Sequence, residues 1–293
     1  ADFDINILGC GSALPTTRHL ATSQIVDLRD KLYMIDCGEG TQVQMRRMRV
    51  RFGRLAHIYL YLHGDHCFGL PGLISTLGML GRTGELVVHG PKEVETYLRP
   101  VMDLFCRGME FEVRFNPVDT RSHSLVMEDR SLSVYSIPLK HRIPTCGYLF
   151  AEKPKEAHII REMTDFYQVP VRCMKDIKQG QDYVTPEGEV VPNSRLTRPA
   201  TPPKRYALFD TAYNRSIIPI IEGADLLYHE ATFAECDLAR AKETFHSTAR
   251  QAAEIARDAH VKRLVIGHYS ARYEDLSELH REAEAVFPGT ILG

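Results

Sequence analysis

The chain has 293 residues, 44% of them hydrophobic and 25% charged, so it can bury a large core as one big domain or two small ones. Its 36 lysines and arginines stand against 38 aspartates and glutamates, and the formal charge of −2 excludes the global basic field that draws nucleic acid non-specifically. Seven scattered cysteines, no export signal and no run of eighteen apolar residues predict a cytoplasmic protein that does not cross a membrane.

Strand and helix patterns follow one another through the first half of the chain. The predicted strands cover residues 3–13, a hairpin over 23–40 that turns at 28–31, and residues 56–64, 85–91, 110–118, 132–141 and 147–152. The predicted helices cover 41–50, 69–82 and 92–105, and Thr41 is a possible N-cap. This order predicts an α/β fold with antiparallel components, and it places a loop at 64–68 directly after a strand.

Residues 151–205 interrupt this order. They combine frequent prolines, a turn signal at 186–188 and little sustained periodicity, which is typical of an inserted arm. From Tyr206 the alternation resumes, with strands in "RYALFDTA", "ADLLYHEATF" and "RLVIGH" and helices in "STARQAAEIARDAH" and "YEDLSELHREAEAVF". We therefore predict one domain over residues 1–293 with an arm inserted at 151–205.

Histidine and aspartate occur where apolar strands end. The turn after the strand at 56–64 carries His63, Asp65 and His66, and later strands end at His141, Asp210 and His268. Zinc prefers imidazole and carboxylate ligands, and closely spaced ligands on a turn can converge on one ion. A polar turn with surface histidines would explain the first cluster alone, and hydrogen bonding would explain each later residue alone. Three repeats of the same arrangement favour a metal site.

Longer motifs identify a family. They are "LGCGSALPTTRHLATS", "IDCGEGTQ", "LHGDHCFGLPGL", "HRIPTCGY", "FDTAYN", "HEATF", "HSTARQAAEIA" and "GHYSARY". Through them the chain resembles metallo-β-lactamase-fold hydrolases and, more narrowly, is similar to the ribonuclease Z family of tRNA 3′-processing endonucleases. The resemblance implies an αββα sandwich of α and β layers with an inserted flexible arm.

The resemblance also implies roles for individual residues. It places His63 and His141 on one zinc ion and Asp65, His66 and His268 on a second, with Asp210 bridging. Two zinc ions per subunit are implied, or a single ion in this chain. Asp65 would orient and deprotonate the attacking water, while Glu230 and His246 would supply a proton to the leaving oxygen. Taken alone, Glu230 could be a surface carboxylate, and His246 a helix N-terminal residue beside a capping Ser247.

The sharpest departure from the family pattern is Tyr61, which stands where the first histidine of the metal motif belongs. Three explanations stay open from the sequence. Tyr61 is a β-favouring aromatic beside a weak or empty metal position, or it binds metal as a tyrosinate, or it is a local sequence variant of a competent enzyme.

The implied substrate is precursor tRNA, the implied assembly is a homodimer, and no membrane partner is expected. Residues 151–205 hold ten lysines and arginines against eight acidic residues, so a solvated charged face competes with phosphate binding by Arg172, Lys175 and Lys178. Two alternative functions remain. One is a metal-deficient, non-catalytic RNA-binding relative, and the other is a different metallo-β-lactamase-fold hydrolase or oxidoreductase.

Overall fold

The computed structural model describes residues 3–61 and 63–293. The chain divides into two compact units. The main unit runs to Ala151 and resumes over Arg205–Gly293, and the arm unit is Glu152–Lys204. The predicted boundaries of the insertion lie within one residue of these, and its role as a substrate-binding arm stays a prediction.

The regular elements are numbered here in chain order. The strands are β1 (Phe3–Gly9), β2 (Ser23–Leu28), β3 (Lys31–Ile35), β4 (Leu55–Tyr59), β5 (Leu86–Gly90), β6 (Val113–Pro117), β7 (Ser124–Glu128), β8 (Leu132–Pro138), β9 (Cys146–Glu152), β10 (His158–Ile159), β11 (Tyr183–Val184), β12 (Val190–Val191), β13 (Thr197–Arg198), β14 (Arg205–Phe209), β15 (Leu226–Glu230), β16 (Leu264–Gly267) and β17 (Ile291–Leu292). The helices are α1 (Thr41–Arg47), α2 (Gly64–Cys67), α3 (Leu70–Met79), α4 (Glu93–Phe105), α5 (Arg161–Phe166), α6 (Met174–Lys178), α7 (Asn193–Leu196), α8 (Ile218–Ile221), α9 (Leu238–Thr244), α10 (Ala249–Asp258) and α11 (Ser277–Val286).

Two sheets form the centre of the main unit. Within the described residues, six strands pair in the order β1-β2-β3-β4-β5-β6 and seven in the order β17-β16-β15-β14-β9-β8-β7. Strands β3 to β6 are parallel to one another, and so are β14 to β17. Because parallel strands end at the same edge, the residues that follow β14, β15 and β16 are brought side by side.

The side chains of these strands alternate between two buried environments. In β3, Tyr33 and Ile35 join an apolar cluster with residues of the second sheet, whereas Leu32 and Met34 pack with helices α3 and α4. The second sheet repeats the pattern, since Phe209 of β14 packs with residues of α8, α10 and α11. Successive side chains of a strand therefore point to opposite faces of its sheet, one towards the other sheet and one towards the helices. Both faces of each sheet are buried in this way, which gives the predicted αββα sandwich.

Local differences from the predictions have physical reasons. The hairpin turn is at the predicted place, and Arg29 and Asp30 adopt positive φ angles of 48° and 66° there. Thr41 is not an N-cap: helix α1 is preceded by Gly40, whose φ of 85° suits glycine, and the Thr41 hydroxyl donates to the Gly38 carbonyl. The predicted loop at 64–68 forms the short helix α2, which begins after His63.

The arm unit has its own apolar cluster. Val169, Ile177, Tyr183, Val191 and Leu196 are buried together. Strands β10 and β13 form one antiparallel ribbon and β11 and β12 another, and helices α5, α6 and α7 complete the unit. The segment therefore contains more regular structure than its weak periodicity indicated.

Among the helices of the described residues, none combines the length and apolar character that crossing a membrane requires.

Candidate active site

The predicted site residues of the main unit lie where its elements end. Asp210 and His268 directly follow β14 and β16, and Glu230 is the last residue of β15. His141 lies in the connection between β8 and β9, and His246 lies between α9 and α10. The connection after β4 holds His63, Asp65 and His66. The two-sheet arrangement thus gathers residues that are up to 205 positions apart in the sequence.

Four of these residues form a tight polar cluster. The Oδ2 of Asp210 lies 2.9 Å from Nε2 of His66 and 3.2 Å from Nε2 of His268. The Oδ2 of Asp65 lies 3.4 Å from the same two ring nitrogens. Burial opposes ionisation of Asp65, but the charges of His66 and His268 outweigh it and lower the pKa of Asp65 to about 2. This carboxylate is therefore ionised and available as a ligand.

His63 and His141 form the neighbouring part of the site. Their ring centroids are 4.7 Å apart with planes at 82°. Burial, followed by the charge of His63, lowers the pKa of His141 to about 4, and burial also lowers the pKa of His63. Both rings are consequently neutral near pH 7, the form in which imidazole binds metal.

Unpartnered buried atoms test whether this region suits a metal ion. Among the described residues, Nε2 of His63, Nδ1 of His141 and Oδ1 of Asp210 are buried without a hydrogen-bond partner. Such atoms are costly to bury unless something binds them. Two imidazole nitrogens and a carboxylate oxygen are also the donor set that zinc prefers. His63, His141 and Asp210 therefore offer donors that zinc prefers, although within the described residues these three do not form a group whose ligand atoms all lie within 4.8 Å of one another. Asp65, His66 and His268 form such a group.

Glu230 and His246 form a buried pair beside the cluster. His246 Nδ1 lies 2.9 Å from Oε2 and 3.0 Å from Oε1 of Glu230, and the Ser247 N–H donates to Oε2 over 3.2 Å. Burial raises the pKa of Glu230 to about 7. Burial opposes the proton on His246, but Glu230 outweighs it and raises the pKa of His246 to about 9. The helix after this pair is capped by Thr248, which forms a capping box with Gln251, so Ser247 is not the cap.

Two supporting residues escaped the sequence reasoning. Asp36 is 3% exposed and places Oδ2 2.7 Å from Nδ1 of His66, which leaves Nε2 of that ring facing the cluster. The Thr232 hydroxyl donates to Glu230 and lies 3.2 Å from Nδ1 of His268. Asp36 follows an apolar strand in "YMID", the same signal that identified Asp210, and could have been found by it. Thr232 carried no comparable signal.

Tyr61 lies beyond the end of β4 and is 2% exposed. Its hydroxyl donates to the Asp210 carbonyl over 2.9 Å and accepts the Asp210 N–H over 3.1 Å. Its ring stacks on His66 at 4.9 Å between centroids. Burial raises the pKa of Tyr61 well above its usual range, with the charge of Asp210 acting in the same direction, so the phenol is neutral. These contacts do not support tyrosinate ligation.

A cavity of about 220 Å³ opens onto these residues. Tyr61, His63, Asp65, His66, His141, Asp210, His246 and His268 all line it. Arg240 and Arg272 also line it, although the sequence reasoning did not select them. Arg240 pairs with Glu243 and Arg272 with Asp237, so a substrate would share these arginines with the two carboxylates. Arginine in the lining suits an anionic substrate such as a phosphodiester.

Arg172, Lys175 and Lys178 lie in the arm unit. Arg172 is in a short 3-10 turn, Lys175 and Lys178 are in α6, and all three are exposed. Their predicted contact with substrate stays a prediction.

Comparison with known proteins places the fold and the site in context. A ribonuclease Z of Parabacteroides distasonis is 81% identical over 295 residues, which cover 100% of this chain and 97% of the relative. Human tRNase Z, short form, is 25% identical with a TM-score of 0.68, covering 92% of this chain and 94% of that chain. The metallo-β-lactamase-fold protein YhfI of Bacillus subtilis, 16% identical, has a TM-score of 0.66 over 98% of this chain and 94% of that one. The family described as Anti-Pycsar protein Apyc1 matches residues 3–93.

The two packed sheets, with the histidine and aspartate cluster at their edge, give the chain the metallo-β-lactamase fold. The full-length match to curated relatives narrows this class. The chain belongs to the ribonuclease Z family, a family of metal-dependent endonucleases, and the resemblance and fold predicted from the sequence are confirmed.

Proposed function

We propose that this chain is a zinc-dependent endoribonuclease that removes the 3′ trailer of precursor tRNA. The observation that carries the proposal is the convergence of the metal-ligand cluster and His246, whose Nδ1 pairs with the buried Glu230, on one cavity. Relatives named ribonuclease Z support the substrate class. A cytoplasmic site of action follows from the same assignment and stays a prediction.

Two groups of residues would hold zinc. Asp65, His66 and His268 would bind one ion, His63 and His141 would bind the other, and Asp210 would reach both. When bound, zinc would polarise the scissile phosphate and lower the pKa of the attacking water towards neutrality.

The protein's own groups would manage the protons. Asp65 would orient the water and accept its proton while oxygen attacks phosphorus. Glu230 engages Nδ1 of His246 and leaves Nε2 as the nitrogen that can protonate the leaving 3′-oxygen of the tRNA. The phosphorus–oxygen bond to that 3′-oxygen breaks, so the tRNA ends in a 3′-hydroxyl and the trailer keeps the phosphate. Arg240 and Arg272 would hold non-bridging phosphate oxygens.

Recognition of the whole tRNA is assigned to the arm unit. Exposed Arg172, Lys175 and Lys178 would contact backbone phosphates, which position a nucleic acid without reading its sequence. A homodimer in which one subunit's arm serves substrate bound to the other is part of the proposal.

The alternative of a non-catalytic RNA-binding relative is not favoured. It depends on Tyr61 abolishing metal binding, yet Asp65, His66 and His268 bring their ligand atoms within 4.8 Å of one another. In the described part of the chain, buried atoms of His63, His141 and Asp210 also lack hydrogen-bond partners.

Replacing His246 tests the proposed chemistry. His246→Ala should slow cleavage of a 3′-extended tRNA by roughly 100-fold or more, because general acid catalysis commonly contributes that much. Binding of the same tRNA should be unchanged. His260→Ala, at an exposed histidine paired with Glu222, is the matched control and should cleave like the parent. Equal cleavage by His246→Ala and the parent would contradict the proposal.

A further inference from the structure

Asp210 is held at its backbone by a single side-chain hydroxyl. It follows the last paired residue of β14, since the parallel ladder with β15 ends at Phe209 and His229. Its N–H and C=O therefore lie beyond the sheet, and both bond to the Tyr61 hydroxyl. That hydroxyl donates its proton to the carbonyl and accepts the N–H, so its donor and one lone pair are engaged.

The clamp acts on the carboxylate that both predicted metal positions share. With the Asp210 backbone fixed, its Oδ2 lies 2.9 Å from His66 Nε2 and 3.2 Å from His268 Nε2. The Tyr61 ring also stacks on the ring of His66. The backbone N–H of Tyr61 donates to Oδ1 of Asp36 over 3.1 Å. Tyr61 thus contacts the backbone of Asp210 and the ring of His66, which are both predicted ligands. It also contacts Asp36, whose carboxylate orients His66.

We propose that Tyr61 is a positioning residue that clamps the backbone of Asp210 and thereby strengthens zinc binding at the position of Asp65, His66, His268 and Asp210, an inference that rests on the proposed function. The position of Asp65, His66, His268 and Asp210 has four side-chain ligands and binds zinc tightly. The position of His63, His141 and Asp210 has three and binds an exchangeable zinc. Three protein ligands with an open position are the usual composition of a catalytic zinc site.

Two other roles for Tyr61 make different predictions. A phenol that served as a metal ligand would matter only at the His63 position, and its loss would spare the tight position. A phenol that only filled space would be replaced by Phe without effect on either ion. A clamp on Asp210 predicts that loss of the hydroxyl weakens the tight position, although no ligand has been removed.

The experiment compares the parent with Tyr61→Phe, Tyr61→His and Tyr59→Phe. The Tyr59 hydroxyl is also buried but has no hydrogen-bond partner among the described residues, so its removal is the matched control. Zinc stoichiometry and affinity are measured by competition with a chromophoric chelator, at a temperature where melting curves show every variant to be folded. The visible spectrum of each Co²⁺-substituted form reports ligand geometry.

We expect the parent to bind two zinc ions with affinities at least about tenfold apart. Tyr61→Phe should weaken the tighter ion about 10- to 100-fold, the usual effect of losing a group that orients a ligand, and should alter the Co²⁺ spectrum. Tyr59→Phe should match the parent. Tyr61→His also removes the hydroxyl and should weaken the tighter ion as Tyr61→Phe does, while its added imidazole should strengthen the weaker ion about tenfold or more. Tight-site affinity and a Co²⁺ spectrum that are unchanged in Tyr61→Phe would overturn the inference.

These readouts separate the inference from the proposed function. A parent that shows the expected zinc pattern but leaves precursor tRNA intact would contradict the proposed function alone. A parent that cleaves precursor tRNA, with Tyr61→Phe binding zinc equally well, would contradict the inference alone.

Discussion

Thr232 joins the acid pair to a predicted metal ligand through one hydroxyl. Because the hydroxyl donates to Glu230, its lone pair is the partner for an N–H at Nδ1 of His268. This fixes the His268 tautomer and leaves Nε2 facing Asp210 and Asp65. A single hydroxyl therefore orders both halves of the site.

Thr232→Val keeps the shape of the side chain and removes the hydroxyl. We expect it to slow cleavage of precursor tRNA about 10- to 100-fold, as is usual when a group that orients a metal-ligating histidine is lost. Thr232→Ser retains the hydroxyl and should recover most of the rate. Steady-state cleavage rates of the two variants test whether the Thr232 hydroxyl is needed. Equal rates for Thr232→Val and Thr232→Ser would show that it is not.

At the scale of elements, the neighbouring strands β4, β5 and β6 each contribute one side chain to a row of hydrogen-bonded polar groups. These side chains are His57, His89 and Asn116. Asn116 Nδ2 donates to Nδ1 of His89, and Nε2 of His89 lies 2.9 Å from Nδ1 of His57. Burial lowers the pKa of His57 to about 4, and burial followed by the charge of His57 lowers the pKa of His89 to about 3. Both rings are neutral in the folded protein near pH 7.

This arrangement predicts acid sensitivity. Below about pH 6.5 the unfolded chain takes up protons on these rings while the folded chain does not, so stability present above pH 6.5 is lost as the pH falls towards 4 and 3. Each ring contributes a slope of about 1.4 kcal/mol per pH unit inside this window. The free energy of unfolding, measured with urea, should change less steeply with pH between 6.5 and 4 in His89→Gln than in the parent. Tyr59→Phe leaves both rings in place and should keep the slope of the parent. An unchanged slope in His89→Gln would refute this origin of the pH dependence.

The arm unit can be removed at a natural junction. Ala151 and Arg205 are antiparallel partners at the end of the β9 and β14 ladder, so a short turn can replace residues 152–204. We expect this deletion to weaken tRNA binding while hydrolysis of a small phosphodiester continues. A milder variant changes Arg172, Lys175 and Lys178 to Glu and should reproduce the loss of binding. Equal loss of both activities in the deletion would mean that the segment is structural.

The same elements show what sequence can predict. The apolar run of β4 and the turn after it predicted both a strand and a ligand cluster, because period-two burial and strand-end chemistry are local. The contact of Tyr61 with Asp210 spans 149 residues and depends on how two sheets pack, which no local pattern encodes. Strand β7 escaped prediction because it is only five residues long and none of them is buried, so its three apolar residues show no alternation with polar ones.

At the scale of the whole molecule, the proposed homodimer makes a prediction about mixed subunits. A chain lacking residues 152–204 keeps its cavity residues, and an Asp65→Asn chain keeps its arm. Each of these two proteins alone should cleave precursor tRNA poorly. If one subunit's arm binds the tRNA that the other subunit cleaves, mixing them should restore up to about a quarter to a half of parent cleavage, according to how many mixed dimers form. Sedimentation confirms subunit exchange, and exchange without recovered cleavage would exclude service between subunits.

The most direct test of the account is the metal dependence and position of the cut in a 3′-extended tRNA. The parent is stripped with a chelator, restored with increasing zinc and incubated with 5′-labelled substrate, and the new end is mapped. We predict no cleavage without metal, and with zinc one endonucleolytic cut at the trailer junction that leaves a 3′-hydroxyl on the tRNA. A zinc-loaded parent that binds this substrate and does not cut it, or that leaves a 3′-phosphate, would contradict the account.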